Sequence, residues 1–374
     1  MKKVGIITTY KQPNWGSVLQ GFALQTSIEK LGFDAYLIDY KYPNQYHWDR
    51  GCKWGISQKR PIKRIIAERL GLRKKPQMQV LLKFINKYCN QTKSYQTREE
   101  IRNFPPDFDI YVTGSDQVWN PSTMYGDTTY MLDFVNNGKV KISYSSSFAC
   151  NNIPEEMRDE YKKWLTQYAS ISVREKNGVS IIKNLIERES YLVLDPTLLL
   201  NRYEWSHFAK SSSKLKLPSN YILFYMLGYT YSPYRKMLEL ISYLQNIFKM
   251  PIVPLNSIPS EFDGMVYNLP ANKDVGIPEF LYLIQHASIL ATSSFHGTAF
   301  AVNFGIPFIS LYDVKDDRIP TLLNEVGLRK NGITVDTILS DYTIHPYYDI
   351  EKEQAMLKKK REESLLFLNK SLSA

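Results

Sequence analysis

The chain has little cysteine for its length and no long hydrophobic run. Three cysteines, Cys52, Cys89 and Cys150, are spread over 374 residues, with neither metal-site spacing nor an even number for pairing. Isolated cysteines of this kind suit a reducing compartment, where we expect them to be buried thiols. No stretch approaches the ~18 apolar residues of a membrane-spanning helix. The sequence begins directly with a strand-like run instead of a signal peptide, which favours a cytoplasmic protein.

Several common catalytic signatures are also missing. The loop after the first predicted strand is no GxGxxG fingerprint, so nothing indicates a nicotinamide, and we expect no cofactor. Ser293 and Ser294 lack the flanking glycines of a hydrolase nucleophile elbow. No nucleic-acid module is recognisable, so we expect no nucleic-acid partner. Four histidines have no partner at metal-ligand spacing, so we expect no metal. They are His47, His207, His286 and His345.

Positive charge is concentrated in one segment. The formal net charge is +10, and residues 53–75 hold nine basic residues and one acidic residue, a local excess of 9 − 1 = 8. Apolar residues follow helical spacing within this segment, at Ile62, Ile65, Ile66 and Leu70. The pattern indicates either a basic amphipathic helix lying on an anionic membrane surface or the solvated face of an ordinary surface helix.

Strand and helix patterns alternate along most of the chain. This alternation predicts an α/β fold with two doubly wound Rossmann-like domains facing a common cleft. We place the N-terminal domain at residues 1–208 and a linker at 209–220, where lysine, serine and proline are frequent. The C-terminal domain follows at 221–345, and a final helix at 346–374 is expected to pack back towards the N-terminal domain.

The stretch at residues 292–300 (TSSFHGTAF) joins a strand end, a turn and a helix start. The preceding apolar run predicts a strand, and residues 298–303 predict a short helix that ends before Gly305 and Pro307. His296 therefore lies where backbone N–H groups lack partners within the helix, a place that attracts anions. The alternative is a structural histidine in a strand-to-helix turn.

Two further loops follow predicted strands. The first, at residues 14–17, contains a glycine that allows close approach of a ligand to the backbone. The second, at residues 114–121 (GSDQVWNP), carries a hydroxyl, a carboxylate, two amides and an indole. This second set suits a ligand rich in hydroxyl groups. Alternatively, the loop is an Asx turn with Trp119 as its apolar anchor.

Arg174 also follows a predicted strand. A guanidinium at such a strand end can clamp a carboxylate or a phosphate. A structural ion pair with Glu175 or Asp195 is the alternative.

Five blocks of the sequence resemble, in order and approximate spacing, those of the polysaccharide pyruvyl transferases. They are residues 14–20 (NWGSVLQ), 114–120 (GSDQVWN), 172–175 (SVRE), 194–199 (LDPTLL) and 294–298 (SFHGT). The resemblance covers about residues 1–330 and implies a GT-B-like pair of domains. It further implies transfer of the pyruvyl group of phosphoenolpyruvate onto two hydroxyls of a hexose, giving a cyclic ketal and inorganic phosphate. The acceptor implied is a bacterial surface polysaccharide precursor, often lipid-linked.

Residue roles follow from this chemistry at the matched positions. The reaction needs an acid and base that titrates near neutrality, which His296 supplies. Phosphoenolpyruvate carries a phosphate and a carboxylate and needs cationic or N–H donors. We expect these from Ser294, Gly297, Thr298, Arg174 and Arg318, the last chosen from charge and location outside the five blocks. For the acceptor we expect Asn14, Ser17, Gln20, Asp116 and Asn120 to bind hydroxyls and Trp119 to stack on a sugar ring.

Two other functions remain open at this point. One is a sugar-nucleotide glycosyltransferase on the same architecture, and the other is a carbohydrate-binding protein without catalysis. The basic segment at residues 53–75 makes a lipid-linked acceptor attractive, with peripheral contact to the inner face of the membrane.

Overall fold

The computed structural model describes residues 1–41, 63, 66–67, 70, 72, 75–124, 127–136, 138–228, 232–270, 273–339 and 344–373. The chain divides into two compact units. Unit 1 comprises Met1–Ile65, Leu81–Leu199 and Arg361–Ala374, and unit 2 comprises Ile66–Val80 and Leu200–Lys360. Most of the basic segment at 53–75 lies outside the described residues, so its amphipathic helix stays a prediction.

Unit 1 is built on a five-stranded parallel sheet. Its strands are β1 (Lys3–Ile7), β2 (Asp34–Tyr40), β3 (Gln91–Tyr95), β4 (Ile110–Thr113) and β5 (Val140–Ser143). They lie in the order β3-β2-β1-β4-β5. The chain thus fills one side of β1 and then crosses to the other, which makes the β1/β4 boundary a topological switch point. Two short strands, β6 (Ser172–Val173) and β7 (Tyr191–Leu192), form a separate parallel pair.

Helices follow these strands, and the first six described are α1 (Trp15–Lys30), α2 (Gln77–Tyr88), α3 (Arg98–Asn103), α4 (Pro121–Met124), α5 (Glu155–Leu165) and α6 (Lys176–Ile186). Polar side chains cap two of them, Asn14 at α1 and Thr97 at α3. Asn14 caps α1 by accepting from the backbone N–H of Gly16 over 2.8 Å. The helix therefore starts three residues before Val18, where apolar periodicity alone predicts its start, because a cap satisfies N–H groups that hydrophobic spacing does not report.

Unit 2 contains the second five-stranded parallel sheet. Its strands are β8 (Ile222–Tyr225), β9 (Ile252–Pro254), β10 (Ile289–Thr292), β11 (Phe308–Tyr312) and β12 (Gly332–Thr334). They lie in the order β12-β11-β10-β8-β9, so the switch point falls between β8 and β10. The remaining helices are α7 (Arg202–Ala209), α8 (Tyr234–Phe248), α9 (Ile277–Gln285), α10 (Phe295–Phe304), α11 (Arg318–Glu325) and α12 (Ile350–Ser373).

The two parallel sheets confirm the predicted pair of doubly wound Rossmann-like domains. Four of these helices and strands were not predicted, namely β3, α4, α7 and β12, and polar composition explains the first. β3 reads QTKSY and lies at a sheet edge, where alternating burial is weak. The segment predicted as a linker, 209–220, falls within unit 2, where buried Ser212 donates to Glu279 over 3.0 Å.

The last residues of α12 belong to unit 1. There the hydroxyl of Ser364 accepts from the backbone N–H of Leu194 over 3.0 Å. The guanidinium of Arg361 donates through Nε to the carbonyl of Leu198 over 2.6 Å. These bonds tie residues 361–373 to the segment that follows β7.

Candidate functional site

His296 lies at the switch point of unit 2. β10 ends at Thr292, and Ser294 caps α10 by accepting from the N–H of Gly297 over 3.2 Å. The hydroxyl of Thr292 accepts from Ser294 N over 3.0 Å and donates to the carbonyl of Tyr225, at the end of β8, over 2.7 Å. His296 is the second residue of α10 and is 6% exposed. The helix begins at Phe295, earlier than the predicted 298, so His296 stands in its first turn.

The three residues predicted to donate to a phosphate here hold the turn itself. Thr298 is buried, and its hydroxyl donates to Ser294 O over 3.0 Å and shares a hydrogen bond with Ser310 over 2.7 Å. Gly297 is required for packing, because a Cβ at this position would lie 2.6 Å from Oγ1 of Thr292. A phosphate at the helix start would have to compete with Ser294 for the N–H of Gly297. The side chain of Thr298 is therefore corrected from ligand to structural residue.

Arg318 begins α11, after the strand next to β10. Its Nε and Nη2 donate to Oδ1 and Oδ2 of Asp316 over 2.8 Å and 2.7 Å, a bidentate ion pair. The Arg318 side chain is 13% exposed. An incoming carboxylate or phosphate needs the same planar pair of donors, so it would exchange with Asp316.

Asp116 lies at the switch point of unit 1, directly after β4. Its φ of 72° is in the left-handed region, an uncommon conformation for a residue other than glycine. Oδ2 accepts from the hydroxyl of Ser17, in the loop after β1, over 2.7 Å, and from Thr9 over 3.2 Å. The carboxylate remains 15% exposed. The structure thus brings together two residues that the sequence placed on separate loops.

Arg174 is enclosed by acidic side chains. Nη1 donates to Oδ2 of Asp195 over 2.9 Å, and Nη2 donates to Oδ1 of Asp116 over 3.4 Å. Glu175 approaches Nε at 3.9 Å, and the Arg174 side chain is only 1% exposed. The predicted role as a clamp for the donor is therefore corrected. Arg174 instead forms the structural ion pair with Asp195 that the sequence offered as the alternative.

Three amide side chains predicted to bind sugar hydroxyls form hydrogen bonds to neighbouring residues of the protein instead. Asn14 caps α1. Gln20 is buried and donates through Nε2 to the hydroxyl of Thr8 over 2.9 Å. Asn120 is buried, donates to Gln117 over 2.8 Å and accepts from the N–H of Ser122 over 2.9 Å. Burial removes Gln20 and Asn120 from direct contact with an acceptor, which corrects both predictions.

Trp119 is a core residue. Its side chain is 0% exposed, and its indole N–H donates to the carbonyl of Tyr130 over 3.3 Å. The ring packs edge-on against Tyr168 and at a tilt against Phe148. An indole enclosed in this way cannot stack on a sugar ring, so the predicted platform is wrong and Trp119 is the apolar anchor of the loop.

Residues that the sequence did not single out complete the polar cluster of unit 1. Ser115 donates to Oδ2 of Asp195 over 2.8 Å, and Thr197 donates to Oδ1 of the same carboxylate over 2.7 Å. Burial, reinforced by the Asp195 charge, raises the pKa of Tyr144 well above its ordinary value, so this phenol stays protonated and donates to Leu194 O. The only sign of Ser115 in the sequence was its position in the loop after predicted strand β4.

Two further observations concern the part of the chain that the structure describes. It holds no group of three His, Cys, Asp or Glu side chains arranged to bind a metal ion. Among the described helices, none is both long and apolar enough to span a membrane.

The fold and these clusters define an α/β protein with polar residues at the switch point of each of two parallel sheets. Residues 14–313 match the family model of polysaccharide pyruvyl transferase, and the chain belongs to this family. This confirms the resemblance carried by the five sequence blocks. The protein is therefore an enzyme of polysaccharide pyruvylation.

Similar solved structures include three proteins that act on sugars according to their names. UDP-GlcNAc 2-epimerase from Methanocaldococcus jannaschii matches at 12% identity and a TM-score of 0.46, over 96% of this chain and 99% of that chain. Spinosyn rhamnosyltransferase SpnG matches at 11% and 0.42, over 100% and 96%. The E. coli heptosyltransferase WaaC matches at 12% and 0.40, over 96% and 99%. No curated protein matches the sequence.

Proposed function

We propose that this enzyme transfers the pyruvyl group of phosphoenolpyruvate onto two hydroxyls of a hexose in a surface polysaccharide precursor. The observation that carries the proposal is His296 in the first turn of α10, at the switch point of unit 2 and within the family match. Ligands of open α/β sheets bind outside the carboxyl ends of the strands at such a point. The donor side of the reaction is accordingly assigned to unit 2.

The reaction can be written as two additions at C2 of phosphoenolpyruvate. The first sugar hydroxyl adds to C2 while a proton is delivered to the methylene carbon C3, which becomes a methyl group. The second hydroxyl then forms its bond to C2 as the C2–O bond to phosphate breaks. Of the two protons that the hydroxyls lose, one corresponds to the proton added at C3, which completes the methyl group. The other is carried away by inorganic phosphate. The product ketal keeps the carboxylate of the donor.

His296 is the proposed proton carrier for these steps. Histidine exchanges protons near neutrality more readily than other side chains, which suits delivery to carbon and removal from oxygen in turn. The start of α10 supplies backbone N–H groups and a positive dipole end, both favourable to a phosphate beside the imidazole. Arg318, at the start of α11 after neighbouring β11, is the proposed partner of the donor carboxylate, exchanging its bond to Asp316.

Asp116 is the proposed acceptor residue in unit 1, and Ser17, which is only 3% exposed, holds the Asp116 carboxylate instead of contacting the acceptor. The carboxylate of Asp116 is partly exposed and can accept from a sugar hydroxyl. Its other bonds, to Ser17, Thr9 and Arg174, fix the position of the carboxylate. An energetically unfavourable backbone conformation held by surrounding bonds is typical of functional residues.

A lipid-linked acceptor is part of the proposal and is supported by the sequence alone. The excess of basic residues at 53–75 suits an anionic membrane surface. Binding to vesicles containing anionic lipid should weaken when Lys63, Arg64, Lys74 and Lys75 are changed to glutamine. Unchanged binding would remove the membrane contact from the proposal.

The function is tested by incubating the enzyme with phosphoenolpyruvate and a panel of hexose-containing acceptors. Ketal formation releases inorganic phosphate and adds a pyruvyl group to the acceptor, and mass spectrometry detects this addition. A glycosyltransferase would instead elongate the acceptor from a nucleotide sugar and leave phosphoenolpyruvate intact. Binding of acceptors without turnover in either assay would indicate a carbohydrate-binding protein.

A further inference from the structure

A cavity of about 680 Å³ lies at the edge of the unit 2 sheet, away from His296. Among its lining residues are Gly332 of edge strand β12 and Tyr312 of β11. His296 follows β10, which is separated from β12 by β11. The volume is within the range of about 300–1,000 Å³ that small-molecule sites occupy. The catalytic assignments made above use none of these residues.

The cavity combines cations with aromatic rings. Its cations are Arg329 and Lys330, which line it and are exposed. Three tyrosines, Tyr312, Tyr347 and Tyr348, line it as well, and no carboxylate side chain is found among the described residues of the lining. Guanidinium and ammonium groups favour anions, and tyrosine offers an apolar ring face together with a polar tip.

Three hydrogen bonds at buried or partly buried atoms hold the walls of the cavity. Nδ2 of Asn331 donates to the carbonyls of Phe308 and Pro346, each over 3.0 Å. Tyr348 donates to the carbonyl of Ile306 over 2.9 Å. These bonds join the segment before β12 to the segment before α12, and they fix both segments to residues 306–308 at the start of β11. A site formed in advance loses less entropy on binding.

Gly332 lets one tyrosine lie against the backbone. A Cβ at this position would lie 2.8 Å from Cε1 of Tyr312, which would have to move. Tyr347 has a different setting, since its side chain is 56% exposed and packs edge-on against Phe248 with ring centroids 5.9 Å apart. The Tyr312 ring therefore lies against the backbone of Gly332, and the Tyr347 ring is largely exposed.

We propose that this cavity binds an acidic oligosaccharide through carboxylates on its sugar rings. Arg329 and Lys330 pair with the carboxylates, and the tyrosine rings pack against the apolar faces of the sugars. The proposal rests on the proposed function, because the ketal product keeps a carboxylate and a pyruvylated polysaccharide is acidic. Such a site would bind glycan that is already acidic, and it would do so at a place separate from the catalytic residues.

Trigalacturonate serves as the acidic probe and galactotriose as a neutral probe of the same length, with binding measured by isothermal titration calorimetry. We expect trigalacturonate to bind at least ten-fold more tightly than galactotriose. The double variant Arg329→Gln/Lys330→Gln should weaken trigalacturonate binding at least ten-fold, and Tyr347→Ala should weaken both probes. The matched control Lys214→Gln/Lys315→Gln removes two exposed lysines outside the cavity and should leave binding unchanged.

Several results would overturn the proposal. Equal binding of the acidic and neutral probes would remove the role of charge. Equal losses in the cavity variant and the lysine control would indicate attraction to general surface charge. Competition of trigalacturonate by inorganic phosphate, with no effect of Tyr347→Ala, would indicate an anion site without sugar recognition.

The catalytic variants separate this proposal from the proposed function. His296→Ala and Asp116→Asn should keep trigalacturonate binding if the ligand occupies the cavity, and loss of binding in either would place the probe elsewhere. If phosphoenolpyruvate is never consumed but the cavity variant still loses binding, the function fails and the cavity proposal stands. If turnover proceeds and no probe binds, the cavity proposal alone fails.

Discussion

Arg174 and Asp195 form a buried ion pair, with Nη1 of the guanidinium 2.9 Å from Oδ2 of the carboxylate. The same guanidinium reaches Asp116, the partly exposed carboxylate at the switch point of unit 1. Arg174 therefore links Asp195 to Asp116. The ion pair of Arg174 and Asp195 stabilises unit 1, and through Arg174 it also orients the Asp116 carboxylate. This relationship leads to the first two predictions.

Asp195→Asn should destabilise unit 1 by about 3–5 kcal/mol, because it leaves a buried guanidinium without its main counter-charge. Urea unfolding followed by circular dichroism measures the change as a lower midpoint. Asp107→Asn is the control, since Asp107 pairs with Lys139 at the surface with its side chain 90% exposed. Equal midpoints for the two variants would mean that the buried pair adds nothing to stability.

Asp116→Asn should lower kcat/KM for the acceptor by about 10- to 100-fold, the worth of a hydrogen bond to a charged group. Asparagine tolerates the left-handed backbone as aspartate does, so the change isolates the charge. KM for phosphoenolpyruvate should stay the same. Steady-state kinetics check both constants, with the exposed Asp159→Asn in the same unit as control. A change in KM for phosphoenolpyruvate alone would show that Asp116 acts on the donor and not on the acceptor.

His296→Gln should lower kcat by about 10²- to 10⁴-fold, the usual contribution of a positioned acid and base. The melting temperature should change little, because glutamine can occupy a place in the first turn of α10. His286→Gln is the matched control, an exposed histidine at the C-terminal end of α9. Turnover close to that of the unchanged enzyme would reject the proton-transfer role.

Arg318→Lys should raise KM for phosphoenolpyruvate by roughly ten-fold, because lysine keeps the charge but cannot donate through two parallel N–H groups. Asp316→Asn should have the opposite effect, since it removes the carboxylate that now occupies the guanidinium. Titration of initial rates against donor concentration gives both values, with Arg235→Lys, at an exposed position of α8, as control. Parallel increases in KM for both variants would show that Asp316 positions Arg318 instead of competing for it.

Cys150 should react slowly with iodoacetamide at neutral pH. Burial, with a smaller contribution from Glu175, raises the pKa of this thiol from 9.0 to about 11. Because the thiolate is the reactive form, two pKa units lower its population at pH 8 by about 100-fold, and the rate should rise with pH up to about 11. Peptide mapping after timed alkylation follows Cys150 separately from the other cysteines. Labelling at pH 8 as fast as for a free thiol would contradict this prediction.

Strand and helix alternation predicted the fold because its main elements are strongly apolar and periodic. For example, the helical spacing of apolar residues from Met237 to Ile247 predicts a helix over 234–248, and the structure has a helix with these bounds, Tyr234–Phe248. The predicted boundary was wrong where a single hydrogen bond sets it. Ser294 caps α10, so the helix begins at Phe295 instead of the predicted residue 298. Edge strand β3 was missed because QTKSY carries little apolar signal.

The candidate site was less accessible to prediction. The five blocks correctly indicated the family, yet Trp119, Gln20 and Asn120 within them are buried. A residue type that suits a sugar also suits a tight loop, and only packing distinguishes the two. Arg174 shows the same limit, because a cation at a strand end can face a ligand or an acidic neighbour.

The two sheets have the same strand order when one edge strand of each, β3 in unit 1 and β12 in unit 2, is set aside. Without them, the order β2-β1-β4-β5 in unit 1 corresponds to β9-β8-β10-β11 in unit 2, with the switch point in the same place. Strand β3 is thus an excursion of the chain to the sheet edge, from which the chain returns to the central pair β1 and β4. Insertions or deletions along that excursion can accumulate without moving Ser17 relative to Asp116. Its length can therefore change during evolution while the loop pair at the centre of the sheet stays the same.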